Sequence, residues 1–164
     1  MRLSDIRSGA TVFIDANIPL SVILQEPSAP LARSFLQRVE RRDIQGVTSV
    51  VVIGEIFHRA LVAEVCRSLG VRPAQAIRLL KSDPNLFDRL HESWVVTYDF
   101  LQLPLVTFVL DEHISVEALR LSRRYRLLHN DATHVALMAH HGVDVMATFD
   151  RDLERVDFIQ VYGR

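Results

Sequence analysis

Short apolar segments alternate with amphipathic ones along most of the chain, and this alternation constrains the fold more than any other feature. The apolar segments cover residues 11–14, 46–48, 105–110, 143–148 and 158–162. Apolar positions recur at helical spacing in residues 29–42, 50–69, 114–125 and 131–141. Strands that alternate with helices form a mainly parallel sheet covered by helices. The sequence therefore predicts a three-layer α/β/α fold with a mainly parallel sheet of four or five strands flanked by helices.

The length of the chain sets the number of domains. With 164 residues the chain has room for one core, and we expect a single domain over residues 1–164. Residues 71–102 predict two short helices, opened by Pro73 and by the pair Asp83 and Pro84. We interpret this segment as a helical elaboration of the domain.

Charge and cysteine content exclude several classes of protein. Lys and Arg total 19 against 20 Asp and Glu, so the formal net charge is −1. No overall positive field attracts such a chain to nucleic acid, and a nucleic-acid site would have to be local. The lone Cys66 cannot form an internal disulfide, which fits a reducing compartment. No uncharged stretch reaches the roughly 18 residues of a membrane span, so we expect a cytoplasmic protein without membrane association.

Four acidic residues are expected at one edge of the sheet. Asp15 and Asp150 each follow a predicted strand. Glu55 lies early in the next helix, within the apolar run VVVIGEIFH, and Asp131 lies in the first turn of a helix that Asn130 is predicted to cap. A single aspartate at such a position is common as a cap, but four carboxylates in one cleft repel one another unless a divalent cation is bound. Their oxygens suit Mg²⁺ or Mn²⁺, which can activate water to hydrolyse a phosphodiester.

These acids lie in segments that resemble the PIN-domain nucleases, in particular the single-domain VapC-like toxins. The matching segments are FIDANI, SVVVIGEIFHRA, HNDATHVALMAHHGVDVMATFDRDL and the closing FIQVY. Leu153 stands where the family often has phenylalanine, an apolar exchange that we expect to be tolerated. The resemblance implies that the catalytic, metal-binding acids are Asp15, Glu55, Asp131 and Asp150, that two polar residues support them, Asn17 and Thr148, and that there is one further acid, Asp152.

The resemblance also implies a function. It indicates a Mg²⁺- or Mn²⁺-dependent endoribonuclease, the toxin of a type II toxin–antitoxin pair, which a cognate antitoxin protein holds inactive and which forms a homodimer. One alternative is a PIN-like module that binds RNA or serves as a scaffold without turnover, although such a module has no evident use for mutually repulsive acids. Another is a DNA- or structure-specific nuclease, or a phosphohydrolase of another doubly wound family, although none of the six glycines forms a phosphate-binding loop.

Two weaker signals lie near these acids. The segment RLSRRYR carries four arginines that suit RNA phosphates, or that simply form a solvated helix face: Arg120, Arg123, Arg124 and Arg126. The histidines of the chain lack the spacing of a zinc site. His134 lies three residues after Asp131 on the same helix face, and we expect it to pack at the core or the rim rather than to take part in catalysis.

Overall fold

The computed structural model describes residues 1–163, and its centre is a five-stranded sheet. The strands are β1 (Thr11–Ile14), β2 (Gln45–Ser49), β3 (Val106–Phe108), β4 (Val145–Ala147) and β5 (Gln160–Tyr162). Their spatial order is β3-β2-β1-β4-β5, and every neighbouring pair is parallel. In the central strand Phe13 lies opposite Val47 of β2, and Ile14 lies opposite Ala147 of β4. The predicted parallel sheet is confirmed, and the carboxyl ends of its strands share one edge.

Seven α-helices connect the strands within residues 1–163. They are α1 (Asn17–Ile23), α2 (Ala29–Glu40), α3 (Val50–Leu69), α4 (Pro73–Ser82), α5 (Glu92–Leu101), α6 (Glu112–Tyr125) and α7 (His129–His141). Gly70 and Gly142 end α3 and α7 in the left-handed conformation, with φ of 65° and 67°. Among the helices of residues 1–163, none is both long and apolar enough to cross a membrane.

The two faces of the sheet have separate hydrophobic cores. Phe13 of β1 packs on one side with residues of α3, α6 and α7. Its neighbours Val12 and Ile14 point to the other side and pack with Phe35 and Val39 of α2. Successive residues of a strand face opposite sides, so both faces of β1 are buried. The sheet is therefore the middle of three layers, as predicted.

Residues 71–102 pack against the second half of α3 through a third apolar cluster. Its buried members are Leu61, Val62, Val65, Ala76, Leu86 and Leu90. The first predicted helix of the segment begins at Pro73, as expected. The second prediction is wrong in detail, because Asp83 and Pro84 open only a 3-10 turn, Pro84–Arg89, whereas α5 begins at Glu92. The Asp83 carboxylate caps this short turn by accepting a hydrogen bond from the backbone N–H of Asn85 at 3.1 Å.

A buried carboxylate connects this segment to α3. Glu64 is only 7% exposed and accepts hydrogen bonds from the backbone N–H groups of His91, Glu92 and Ser93, at 2.8, 3.0 and 2.8 Å. Burial raises the pKa of Glu64, but the hydrogen bonds from the three N–H groups lower it by more. The pKa therefore lies below the usual glutamate value. The N–H groups at the start of α5 have no partner within the helix. Glu64 therefore satisfies the start of α5 and fixes it against α3.

Candidate active site

The central strand β1 delivers Asp15 to the carboxyl edge of the sheet, where its side chain is held from two sides. Asp15 is 7% exposed. Thr148 Oγ1 donates a hydrogen bond to Asp15 Oδ2 at 2.6 Å, and the backbone N–H of Ala16 donates to Oδ1 at 2.7 Å. The carboxylate is consequently fixed in orientation before any ligand binds.

The Thr148 hydroxyl is the centre of a hydrogen-bond network that joins the ends of β1 and β4. Besides donating to Asp15, its oxygen accepts from Asn17 Nδ2 at 2.8 Å and from the backbone N–H of Asp150 at 3.0 Å. Asn17 Oδ1 in turn accepts from the backbone N–H of Phe149 at 3.0 Å. A hydroxyl has one donor and two acceptor positions, and all three are used here. The network fixes Asp15 relative to the segment that carries Asp150.

Two further acids reach the same edge from helices. The side chain of Ser49, the last residue of β2, accepts a hydrogen bond from the backbone N–H of Val52 at 3.2 Å and so caps α3, which presents Glu55 in its second turn. Asp131 is the third residue of α7. The predicted cap of that helix is wrong, because α7 begins at His129 and is preceded by Leu128. Asp131 nevertheless lies in the first turn, as expected.

The side chains at this edge influence one another's proton affinity. Burial, followed by the negative charges of Asp150, Asp15, Glu55 and Asp152, raises the pKa of Asp131 to about 6. Burial and the charge of Asp150 raise the pKa of Asp15, against the opposing hydrogen bonds from Thr148 and Ala16. Burial and the charge of Asp15 raise the pKa of Glu55, while His134, Arg59 and His58 oppose this rise. The structure thus brings the four predicted acids into one electrostatically coupled cluster.

The chemistry of this cluster suits a divalent cation, although the side chains do not form a closed cage. Within residues 1–163, no group of three or more His, Cys, Asp or Glu side chains is placed so that it could hold a metal ion by itself. Mg²⁺ usually binds through one or two carboxylates and completes its coordination with water and substrate phosphates. Burial is the main cause of the raised pKa values of Asp131, Asp15 and Glu55, and repulsion between the carboxylates adds to it; a bound cation would offset that repulsion. The donor set therefore fits a hard divalent cation.

Asp152 and the four predicted arginines lie around the end of α6 and the loop after β4. The backbone N–H of Asp152 donates to Asp150 Oδ1 at 2.8 Å, and Asp152 Oδ1 accepts from Arg155 Nη2 at 2.6 Å. Arg155 Nη1 also donates to the carbonyl oxygen of Arg126 at 3.1 Å, which connects the end of α6 to this loop.

The other three arginines of this segment differ in their surroundings. Arg120 pairs with Glu117 at 3.1 Å. Arg124 lies 3.6 Å from Asp157 and 5.0 Å from the centre of the Tyr125 ring. Arg123 is exposed. The existing ion pairs of Arg120 and Arg124 would have to rearrange for contact with phosphate.

Two residues at the site were not among the sequence candidates. His134 is 1% exposed, and its Nε2 lies 3.9 Å from Asp15 Oδ1. Arg59 lies one helical turn after Glu55, and its positive charge lowers the pKa of both Asp15 and Glu55. The spacing of three residues from Asp131 had already placed His134 on the face of the acids, although it was expected only to pack there. The spacing of four residues from Glu55 is the signal that could have identified Arg59.

Comparison with known proteins identifies relatives of this chain in sequence. The family model for the PIN domain matches residues 12–159. Ribonuclease VapC6 of Methanocaldococcus jannaschii is 24% identical over 156 residues, which cover 94% of this chain and 97% of that protein.

Solved structures share the fold at lower identity. The crystal structure of Mycobacterium tuberculosis VapC20, described as a sarcin–ricin loop cleaving toxin, has a TM-score of 0.61 at 16% identity and covers 92% of this chain and 98% of that one. A toxin–antitoxin complex from Klebsiella pneumoniae has a TM-score of 0.56 at 14% identity, over 91% of this chain and 95% of that one. VapBC2 from Rickettsia felis, bound to a DNA fragment from its promoter, has a TM-score of 0.54 at 13% identity, over 93% of this chain and 98% of that one. The family model spans most of the chain, and this protein therefore belongs to the PIN domain family.

Proposed function

We propose that this protein is a Mg²⁺- or Mn²⁺-dependent endoribonuclease, the toxin component of a type II toxin–antitoxin system. The observation that carries the proposal is the coupled cluster of carboxylates at the carboxyl edge of the sheet, formed by Asp15, Glu55, Asp131 and Asp150. The similarity to ribonuclease VapC6 supports RNA as the substrate. The similarity to a toxin–antitoxin complex supports an antitoxin as the partner.

One or two carboxylates of this cluster at a time would hold the cation together with water and the phosphate oxygens of RNA. A divalent cation held there would activate a water molecule for attack and stabilise the negative charge that develops on the phosphate. The carboxylates must be ionised for this role. Asp131, with a pKa of about 6 in the metal-free protein, is mostly ionised at neutral pH, and a cation beside it would favour the ionised form further.

The surrounding residues orient these acids and bind the RNA backbone. Thr148 and Asn17 fix the carboxylate of Asp15 through the hydrogen bonds described above. Arg59 adds a positive charge beside the acids and is suited to a phosphate of the RNA. The arginines near the end of α6 carry further positive charge, and all four of them are exposed. The net charge of the chain is therefore an average over an acidic cleft and a basic rim.

The proposal is tested by incubating the purified protein with mixed RNAs in Mg²⁺, in Mn²⁺ and in EDTA. We expect cleavage that requires the metal and that is lost in Asp15→Asn and Asp131→Asn. Asp88→Asn, which makes the same charge change in the exposed 3-10 turn of residues 84–89, is the matched control and should cleave normally. Cleavage that persists in both site variants would contradict the proposal. Metal-independent RNA binding without cleavage would favour the binding-module alternative, and cleavage of DNA alone would favour a DNA nuclease.

The partner and the assembly need separate tests. An RNA substrate implies action in the cytoplasm, where expression of the toxin alone should arrest growth. Co-expression of a small protein encoded beside it should restore growth, and the two proteins should co-purify. We also propose that the free toxin is a homodimer, which light scattering coupled to gel filtration measures directly. A monomer at all concentrations would contradict the dimer without affecting the proposed activity.

A further inference from the structure

His134 is a fully buried polar side chain that packing alone does not explain. It is 1% exposed, and neither ring nitrogen has a hydrogen-bond partner among residues 1–163. Its ring lies beside Phe13, with the ring centres 5.4 Å apart. Burial of a polar group without a hydrogen bond destabilises a fold, whereas an apolar side chain would fill the same space without that penalty. The histidine therefore reduces stability at this position in the ligand-free protein.

The position of the ring relative to Asp15 suggests what the histidine does. Nε2 of His134 lies 3.9 Å from Asp15 Oδ1, beyond the range of a hydrogen bond. Asp15 accepts one hydrogen bond from Thr148 and one from Ala16, whereas an ionised carboxylate offers about four acceptor positions. A movement of about 1 Å would bring Nε2 within reach, and hydrogen bonds in ligand-free active sites often shorten in this way when ligands bind.

We propose that His134 is a positioning residue that donates a hydrogen bond from Nε2 to Asp15 Oδ1 when Asp15 binds the divalent cation. The inference rests on the proposed function, because it assumes a cation at the acids. A neutral imidazole has one N–H, which either ring nitrogen can carry, and neither nitrogen of His134 is engaged with another partner among residues 1–163. Carboxylates that bind metals are commonly oriented by such hydrogen bonds, and losing one weakens metal affinity about 10- to 100-fold.

Three substitutions separate this role from packing. His134→Leu removes both ring nitrogens, His134→Gln places an amide N–H near the position of Nε2, and His134→Asn places one near Nδ1. Met138→Leu, at a fully buried position one turn further along α7, is the matched control. Two quantities are measured on the protein without RNA: the affinity for Mn²⁺ by calorimetry, and the midpoint of urea unfolding in EDTA.

We expect the affinity of His134→Leu for Mn²⁺ to be at least about tenfold lower than that of the wild type. Its midpoint of urea unfolding should be equal to or higher than that of the wild type. His134→Gln should recover most of the affinity, His134→Asn should remain weak, and Met138→Leu should retain the wild-type affinity. Opposite changes in stability and affinity are not expected from a residue that only fills the core.

Several results would overturn the inference. Loss of stability in His134→Leu with unchanged Mn²⁺ affinity would show that the ring only packs, and the proposed function would stand. Equal affinities of the Gln and Asn variants would show that no donor at the Nε2 position is needed, and this comparison also decides the matter if the Leu variant does not fold. A wild-type protein that binds no Mn²⁺ would overturn the proposed function, and the inference with it.

Discussion

Replacing Asp131 by asparagine should make the metal-free protein more stable while it abolishes cleavage. The substitution keeps the shape of the side chain and removes one negative charge from the cluster. The pKa of Asp131 in the folded protein is about 6, above the usual aspartate value of 3.8. The folded state therefore binds more protons than the unfolded state between these pH values, and the contribution of Asp131 to stability decreases as pH rises from about 4 to above 6.

The size of the effect follows from this difference in pKa. It corresponds to at most about 3 kcal/mol once Asp131 is fully ionised. Asp131 is half-buried, so solvent screening reduces this figure. The carboxylate also lies in the first turn of α7, where the helix dipole favours a negative charge by about 0.3–1 kcal/mol. We therefore expect Asp131→Asn to raise the free energy of unfolding by about 1–2 kcal/mol at pH 7.5. For a chain of this size, that raises the melting temperature by roughly 2–8 °C.

Thermal unfolding in EDTA between pH 4 and pH 8 measures this gain. The variant should differ least from the wild type near pH 4, where the carboxyl group is protonated in the folded state and about half ionised in the unfolded state, and should exceed it progressively as the pH rises through about 6. Added Mg²⁺ should stabilise the wild type by mass action and the variant much less.

The control is Asp88→Asn, which should change stability by less than about 0.5 kcal/mol at either pH. An Asp131→Asn protein that is less stable than the wild type at pH 7.5 in EDTA would refute the reasoning. A gain that does not depend on pH would refute it as well, because the effect would then arise from something other than the ionisation of Asp131.

Three further substitutions test other contacts. Thr148→Val leaves buried partners unpaired, so urea unfolding should show that the free energy of unfolding falls by about 1–3 kcal/mol, and cleavage should fall sharply. Thr148→Ser should retain both the stability and the cleavage activity. A fully active Val variant would contradict the role of the network. Glu64→Gln should lower the free energy of unfolding by about 1–2 kcal/mol at pH 7. The pKa of Glu64 is lower in the folded than in the unfolded protein, so unfolding curves should show this difference from the wild type shrinking as the pH falls through the pKa of the folded state. In the Asp131→Asn background, Arg59→Ala should weaken RNA binding and reduce the slope of the logarithm of the affinity against the logarithm of the salt concentration by about one. Arg67→Ala, which removes a guanidinium paired with Glu92 at 2.7 Å, should not, and equal losses would argue against a specific role for Arg59.

The alternation of strands with helices and the parallel sheet could be predicted from the sequence, because both follow from periodicity. Parallel strands bring residues after their carboxyl ends together, and Asp15 and Asp150 each follow a strand as expected. The starts of helices were less predictable. Asn130 is a favourable cap by residue type, yet α7 begins at His129 and uses no capping side chain. Asn17 does not cap α1 either, since its amide is engaged with Thr148 and the Phe149 backbone.

Contacts between distant residues could not be predicted, because periodicity identifies a face but not its neighbour. Asn17 and Thr148 are 131 positions apart, and only the pairing of β1 with β4 brings them together. Glu64 interrupts an apolar pattern in the same way as Glu55, yet one carboxylate caps α5 and the other lies at the cleft. His134 was placed on the correct face, whereas its proximity to Asp15 depends on how α7 packs on the sheet.

The uniform direction of the strands also gives the molecule a side that is free for attachment. The amino ends of the strands meet at the edge opposite the acids, where the backbone N–H of Gly9 donates to the carbonyl of Asp43 at 2.7 Å in the turn before β1. Arg41 is exposed near this turn. The four residues of β1 separate the two edges by roughly 13 Å. A fluorophore or surface anchor on an Arg41→Cys protein, with Cys66 the only other cysteine, would report on RNA binding without occupying the edge where RNA is proposed to be cleaved.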